Sequence, residues 1–313
     1  MNINQIYNSE CLLGLKSIPS NSIHCCVTSP PYYNLRDYGH EDQIGSEKTP
    51  EEYVQKLVDV FREVRRVLVD DGTLWINIGD SYNGSGKAGN NPNYWSRHTV
   101  FGKLANKNTF GYPVKVTSCK PKDLIGIPWM LAFALRADGW YLRQDIIWSK
   151  PSVMPESVKD RCTKSHEYIF LLSKNKTYYF DSNAIAEPAT SFDTIIRDRD
   201  ITKLNNTPRR SKMRGLIRNN YLTRNKRSVW TVATQPLREA HFATYPEKFI
   251  VDCIKAGCPE SGIVLDPFMG SGTTAVVAKK FGRDYIGFEL NPDYVCLAKK
   301  RISEELGIFK YIS

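Results

Sequence analysis

The stretch from residue 263 to residue 289 constrains the fold more than any other. Ile263 to Asp266 is a short apolar run with strand character. It leads into Asp266-Pro267-Phe268-Met269-Gly270-Ser271-Gly272-Thr273-Thr274, and Thr273 to Phe281 then has the pattern of a helix. Tyr285 to Glu289 reads as the next strand. Glycines between a strand and a helix let a ligand approach the backbone, and the helix start offers N–H donors to it. Glu289 closes the second strand, where its carboxylate can accept hydrogen bonds from ribose hydroxyls. A strand, a crossover helix and a second strand imply parallel pairing, hence an α/β sheet. The loop is not a phosphate-cradling Walker sequence, because no Lys follows the second Gly. Ala275 stands where a dinucleotide fingerprint has its third Gly, a place that tolerates Ala, so the glycines alone leave NAD open.

The same rhythm holds earlier in the chain. Ile23 to Thr28 is a buried strand ending before Pro30-Pro31. Thr49 can cap a helix opened by Pro50, with Glu52 completing a capping box. Tyr53, Val54, Leu57, Val58, Phe61, Val64 and Leu68 form its apolar face, and Asp70-Asp71-Gly72 is expected to stop it. Thr73 to Ile78 is the next strand. A helix over Leu124 to Ala137 and strands over Tyr141 to Trp148 and Tyr168 to Leu172 follow. Ile250 to Ala256 and Pro292 to Leu306 read as helices. The expectation is a doubly wound, mostly parallel sheet.

Two segments break the pattern, and charge marks both. Residues 197–227 carry 11 Lys/Arg against 2 Asp/Glu, and residues 81–122 carry 7 Lys/Arg and no acid. The net charge of +10 therefore comes from these two segments, and the remainder is acidic. Basic segments on an acidic body suit a polyanion, whose counterions are released on binding. No apolar run approaches the roughly 18 residues of a membrane span. The N-terminus lacks the pattern of a secretory signal, so reduced thiols and a cytoplasmic location are expected. The 8 Cys form no CxxC pair, and His24 and His166 have no ligand companions, so no metal site is expected.

Thr28-Ser29-Pro30-Pro31-Tyr32-Tyr33 leaves the first strand. Two prolines keep the backbone extended and remove two N–H donors. Carbonyl acceptors, a hydroxyl and an aromatic face remain. Such a set suits a planar group bearing an amine.

S-P-P-Y together with D-P-F-x-G-S-G-T-T resembles the amino-DNA methyltransferases, which methylate exocyclic nitrogens of cytosine or adenine with S-adenosyl-L-methionine. The order of catalytic loop, variable basic segment and cofactor loop is similar to that of the family's permuted β group. The resemblance implies the permuted methyltransferase sheet with a smaller DNA target-recognition insertion. It implies that Ser29, Pro30, Pro31 and Tyr32 receive the flipped base. It assigns Asp266, Pro267, Phe268, Gly270, Ser271, Gly272, Thr273 and Glu289 to the cofactor, with Phe268 near the adenine. His241 to Pro246 resembles the segment before the cofactor loop, which brings in Thr244 and Tyr245. Tyr7 to Cys11 resembles a segment that usually reads Gly-Asp; here Ser9-Glu10 stands in its place, with Glu10 toward the cofactor adenine. Arg209, Arg210, Lys212, Arg214 and Arg218 fall in the target-recognition region and are expected to bind DNA.

The resulting layout has a catalytic half over 1–82 and 123–190, a basic insertion over 83–122, target recognition over 191–232, and a cofactor half over 233–313. Duplex DNA is the expected partner, with a cognate restriction endonuclease alongside. Ser before Pro-Pro-Tyr resembles the cytosine-N4 members, whereas adenine-N6 members more often carry Asp or Asn. Adenine N6 is the alternative, and RNA or protein a further one. Cytosine C5 methylation is disfavoured, because that chemistry needs a Cys nucleophile after Pro and no Pro-Cys pair occurs.

Overall fold

The computed structural model describes residues 2–34, 43–84, 99–100, 103–104, 118–153, 155–189, 222–234 and 245–309. The elements run β1 (Gln5–Asn8), α1 (Cys11–Lys16), β2 (Ile23–Thr28), α2 (Pro50–Val67), β3 (Leu68–Ile78), β4 (Thr99–Val100) and β5 (Lys103–Leu104). There follow α3 (Ile127–Ala137), β6 (Tyr141–Ser149), β7 (His166–Ser173), β8 (Glu187–Pro188), β9 (Thr223–Arg224) and β10 (Val229–Thr231). The chain closes with α4 (Glu247–Gly257), β11 (Ile263–Asp266), α5 (Thr273–Lys280), β12 (Asp284–Glu289) and α6 (Pro292–Phe309).

Eight strands form one sheet in the order β1-β12-β11-β2-β3-β7-β6-β10. All pair in parallel except β7, which runs against both of its neighbours. The mostly parallel, doubly wound sheet read from the sequence is therefore present. Helices α1, α2 and α3 pack in series, as do α4, α5 and α6. Cys25 and Cys26, adjacent in β2, are both fully buried, as a strand covered on both faces requires. Trp75, Tyr53, Phe61, Phe170, Phe249 and Phe288 are the largest side chains sealed in the core. Each contributes on the order of 2 kcal/mol through burial.

Helix α2 begins as read: the Thr49 hydroxyl accepts the Glu52 N–H at 3.1 Å. It ends earlier than read. Leu68 is already extended, fully buried and paired with Ile23, so β3 takes over directly from the helix. Asp70-Asp71-Gly72 is an irregularity inside β3, where the register with β2 jumps, and not a helix stop. Helix α3 starts at Ile127 rather than Leu124, because Gly126 adopts a left-handed conformation ahead of Pro128.

The chain forms two compact units, Met1–Asp181 with Ser228–Ser313, and Ser182–Arg227. In the smaller unit β8 pairs with β9, and Glu187 meets Arg224 and Arg227. Strand β10, inside the 191–232 segment, is instead an edge strand of the large sheet, and its Trp230 is buried. No described helix is long and apolar enough to cross a membrane.

Candidate active site

After β11 the chain crosses to β12, and after β2 it crosses to β3, on the opposite side. Strands β11 and β2 are neighbours, so their following loops diverge and leave a crevice at their carboxyl ends. The glycine loop stands on one side of that switch point and Ser29 to Tyr32 on the other. The ends of β1, β12 and β3 bring Glu10, Glu289 and Asn77 to Asp80 to the same edge of the sheet.

Asp266 organises the cofactor side. Its carboxylate is fully buried and accepts four bonds. Thr28 Oγ1 donates to Oδ1 at 2.6 Å and the Phe268 N–H donates at 3.0 Å. Thr274 Oγ1 donates to Oδ2 at 2.7 Å and Tyr245 Oη at 2.9 Å. Burial pushes the Asp266 carboxyl up, against the pull of these donors. Glu289 Oε2 accepts the Gly270 N–H at 2.8 Å, and Oε1 accepts the Asn291 N–H at 2.9 Å. Burial raises its pKa as well. Gly270 and Gly272 both have positive φ, at 53° and 82°. A Cβ at Gly272 would lie 2.9 Å from the Cβ of Ala298 on α6, so the loop turns against that helix only with glycine there. Pro267 and Ser271 are buried, and Phe268 is partly buried against the core. Thr273 Oγ1 accepts from Arg301, which also meets Glu247.

Glu10 Oε1 accepts the Leu12 N–H at 2.8 Å and Oε2 the Leu13 N–H at 2.7 Å, capping α1. The Ser9 N–H bonds the Glu289 carbonyl, which ties the two acidic positions together. Thr244, Arg209, Arg210, Lys212, Arg214 and Arg218 lie outside the described residues.

On the catalytic side, Tyr53 Oη donates to the Pro31 carbonyl at 2.7 Å and pins the loop to α2. Tyr32 Oη donates to Glu167 Oε2 at 2.7 Å, and Asn77 Nδ2 donates to the same oxygen at 3.2 Å. Lys150 pairs with the other oxygen of Glu167. Burial, then the facing Glu167 carboxylate, pushes the Tyr32 phenol well up. The Tyr32 ring lies so close to Gly79 that a Cβ there would be 2.7 Å from Cε2.

The sequence reading gives no site role to Thr28, Tyr53, Asn77, Gly79, Lys150 or Glu167. Thr28 and Gly79 carry a signal, since each sits at the carboxyl end of a strand beside the crevice. Glu167 carries none: it reaches the site because β7 runs backward and its first residues stand at this edge, while Lys150 follows the carboxyl end of β6 at the same edge. Among the described residues no His/Cys/Asp/Glu group could hold a metal ion. His24 Nδ1 accepts the Ile263 N–H, a structural task.

A glycine loop and a buried acid stand on one side of the switch point and the Ser29-to-Tyr32 loop on the other, where an open α/β sheet binds its ligands. Gly270 leaves room beside the loop: no atom lies nearer than 4.0 Å to a Cβ built there.

Comparisons sharpen the class. Residues 23–300 match the family model described as DNA methylase. The Type II methyltransferase M.SmaI of Serratia marcescens is 46% identical over 289 residues, covering 92% of this chain and 87% of that one. M.Cfr9I of Citrobacter freundii, also a Type II methyltransferase, is 43% identical over 300 residues, covering 96% and 88%. The fold is shared with the PvuII DNA methyltransferase, described as cytosine-N4-specific, with a TM-score of 0.64, 18% identity, and coverage of 97% and 92%. It is also shared with a putative DNA modification methylase of Thermus thermophilus complexed with S-adenosyl-L-methionine, with a TM-score of 0.57, 23% identity, and coverage of 96% and 95%. The chain belongs to the DNA methylase family whose members act on adenine N6 or cytosine N4, and it is a DNA methyltransferase.

Proposed function

We propose that this enzyme transfers a methyl group from S-adenosyl-L-methionine to N4 of cytosine in duplex DNA, as the modification half of a restriction–modification pair in the cytoplasm. The observation that carries the reading is the pairing of Ser29-Pro30-Pro31-Tyr32 with the Asp266-to-Gly272 loop across one switch point. Ser29 in place of Asp or Asn favours cytosine over adenine. The Type II relatives support a partner endonuclease acting on the same sequence.

The amine of cytosine is a poor nucleophile, because its lone pair is delocalised into the ring. Ser29 and the Pro30 carbonyl accept its two N–H bonds and favour a pyramidal nitrogen. The Pro31 carbonyl is taken by Tyr53, which leaves the Pro30 carbonyl for the amine. Tyr32 stacks on the flipped base and offsets part of the cost of unstacking it. Phe268 and Glu289 hold the adenosine, Glu289 through the ribose. The bound cofactor supplies a methyl on a sulfonium. That methyl would pass to the amine nitrogen with the sulfur as leaving group, and Ser29 or water would receive the proton the amine gives up. Positioning and fixed dipoles supply most of the rate, without a covalent enzyme intermediate. The basic segments 83–122 and 191–232 hold phosphates, with Arg209, Arg210, Lys212, Arg214 and Arg218 among the contacts, and side chains of the latter segment read base edges.

The test uses labelled S-adenosyl-L-methionine and unmethylated duplex DNA rich in varied sites. The product is digested to nucleosides and weighed. N4-methylcytosine is the expected product. N6-methyladenine would overturn the base assignment while leaving the mechanism. Label in RNA or protein alone would overturn the substrate.

A further inference from the structure

The backbone pairing between the catalytic and cofactor strands is short. Strands β2 and β11 share two paired positions, Cys25 with Val264 and Cys26 with Leu265. Beyond them the strands part and the crevice opens. Yet the chemistry happens beyond them, between the loop that starts at Ser29 and the loop that starts at Asp266. Side chains span that gap. The Thr28 hydroxyl donates to Asp266 Oδ1 at 2.6 Å, with both residues fully buried. On the cofactor side the same carboxylate holds the Phe268 N–H, the Thr274 hydroxyl and the Tyr245 phenol. All four donors come from the protein. Asp266 thus faces the catalytic strand with one oxygen and the start of α5 with the other.

We propose that Thr28 is a positioning residue for methyl transfer: its hydroxyl, through Asp266, sets the separation between the base-binding loop and the cofactor loop. The proposal rests on the reaction proposed above. Thr28 touches neither substrate nor cofactor. It acts because the residue after it is Ser29, so a shift of Thr28 moves the amine acceptors directly. An in-line transfer is steeply sensitive to such a shift: about 1 Å of misplacement costs on the order of a hundredfold in rate. The hydroxyl also does what an apolar side chain of the same shape cannot, since a valine there packs equally well in the strand but leaves Asp266 Oδ1 one donor short.

The experiment compares wild type with T28V, T28S and T274V. It measures the single-turnover rate of methylation at saturating S-adenosyl-L-methionine and DNA, the cofactor Kd by fluorescence titration, and Tm. T28V is expected to slow transfer by on the order of tenfold or more with the cofactor Kd within about threefold of wild type. T28S, which keeps the hydroxyl, is expected to restore the rate to within about threefold. T274V removes the bond to the other oxygen of Asp266, together with the Thr274 contacts to Tyr245 and, at 3.5 Å, the Val27 carbonyl, and is expected to weaken cofactor binding more than it slows transfer at saturation. A T28V rate within twofold of wild type overturns the proposal. So does a loss in T28V that lies wholly in cofactor Kd, a T28S rate as low as that of T28V, or the same rate loss in T28V and T274V, any of which reduces the contact to general support of the loop. Thr28→Ala, also without the hydroxyl, gives the same reading where T28V does not fold. Wild type that methylates no DNA would sink the reaction itself, and that arm is read separately from the variants.

Discussion

Gly270 and Gly272 offer a matched pair for testing how the cofactor loop is built. Both have positive φ, so alanine at either must adopt a conformation that costs about 1–2 kcal/mol for an L-residue. The surroundings differ. A Cβ at Gly270 meets no atom nearer than the Phe268 carbonyl at 4.0 Å. A Cβ at Gly272 meets the Ala298 Cβ at 2.9 Å and its Cα at 3.2 Å. Those atoms belong to the frame of α6 and cannot swing aside, so α5 and α6 must move apart. Overpacking of that kind adds about 1–3 kcal/mol. Gly270→Ala should therefore cost about 1–2 kcal/mol, and Gly272→Ala about 2–5 kcal/mol. For a chain of this size each kcal/mol lowers Tm by about 2 °C. Urea unfolding followed by circular dichroism, with Tm as a second reading, measures both. Equal losses, or a larger loss for Gly270→Ala, would refute the claim that α6 is what demands glycine at 272.

Four further outcomes follow from the geometry. Tyr32→Ala should lower the methylation rate by at least about a hundredfold with cofactor Kd nearly unchanged, since the ring serves the base; a fully active variant removes the catalytic assignment. Glu289 has a raised folded pKa, so its ionisation opposes folding: its contribution is fully present below its unfolded pKa near 4.5 and is lost as pH rises through the raised folded value. Wild type should accordingly lose stability relative to Glu289→Gln as pH rises from about 4.5 through that raised value, measured by urea unfolding across the range. Cys162 and Cys296 are exposed and should react with a thiol reagent in the native protein, while Cys25, Cys26, Cys253 and Cys258 should react only after unfolding; mass spectrometry of the labelled peptides decides. Charge reversal at Arg209, Arg210 and Lys212 should weaken DNA binding and flatten its dependence on salt, and an unchanged slope of log K against log salt removes these residues from the interface.

What can be read from the sequence follows from how local each feature is. The strand at 23–28 and the helix from Pro50 are set by contiguous apolar runs and a cap, and both stand where the pattern puts them. The end of α2 misleads because Asp70-Asp71-Gly72 has the composition of a turn, while the burial and pairing of Leu68 decide the matter from outside the segment. Strand β1 has four residues, too few for alternation to register, and its place is fixed by β12. Glu10 is a subtler case. The family resemblance puts Asp at this position; here the Glu carboxylate accepts from both the Leu12 and Leu13 N–H groups and caps α1.

The motif order and the sheet order explain each other. The chain visits the catalytic strand β2 near its start and the cofactor strands β11 and β12 near its end, with more than 200 residues between. In the sheet β2 and β11 are neighbours. The site therefore depends on which carboxyl ends meet, and not on which comes first in the chain. That freedom has a cost, because neighbours so distant in sequence owe their alignment to tertiary contacts alone. Two backbone pairs do not suffice to hold two loops at bonding distance of one nitrogen and one carbon. Side chains from both strands must complete the joint, and Thr28 with Asp266 is where they do so. The residues proposed to receive base and cofactor are thus legible as motifs, whereas the residue proposed to align them lies one position before Ser29.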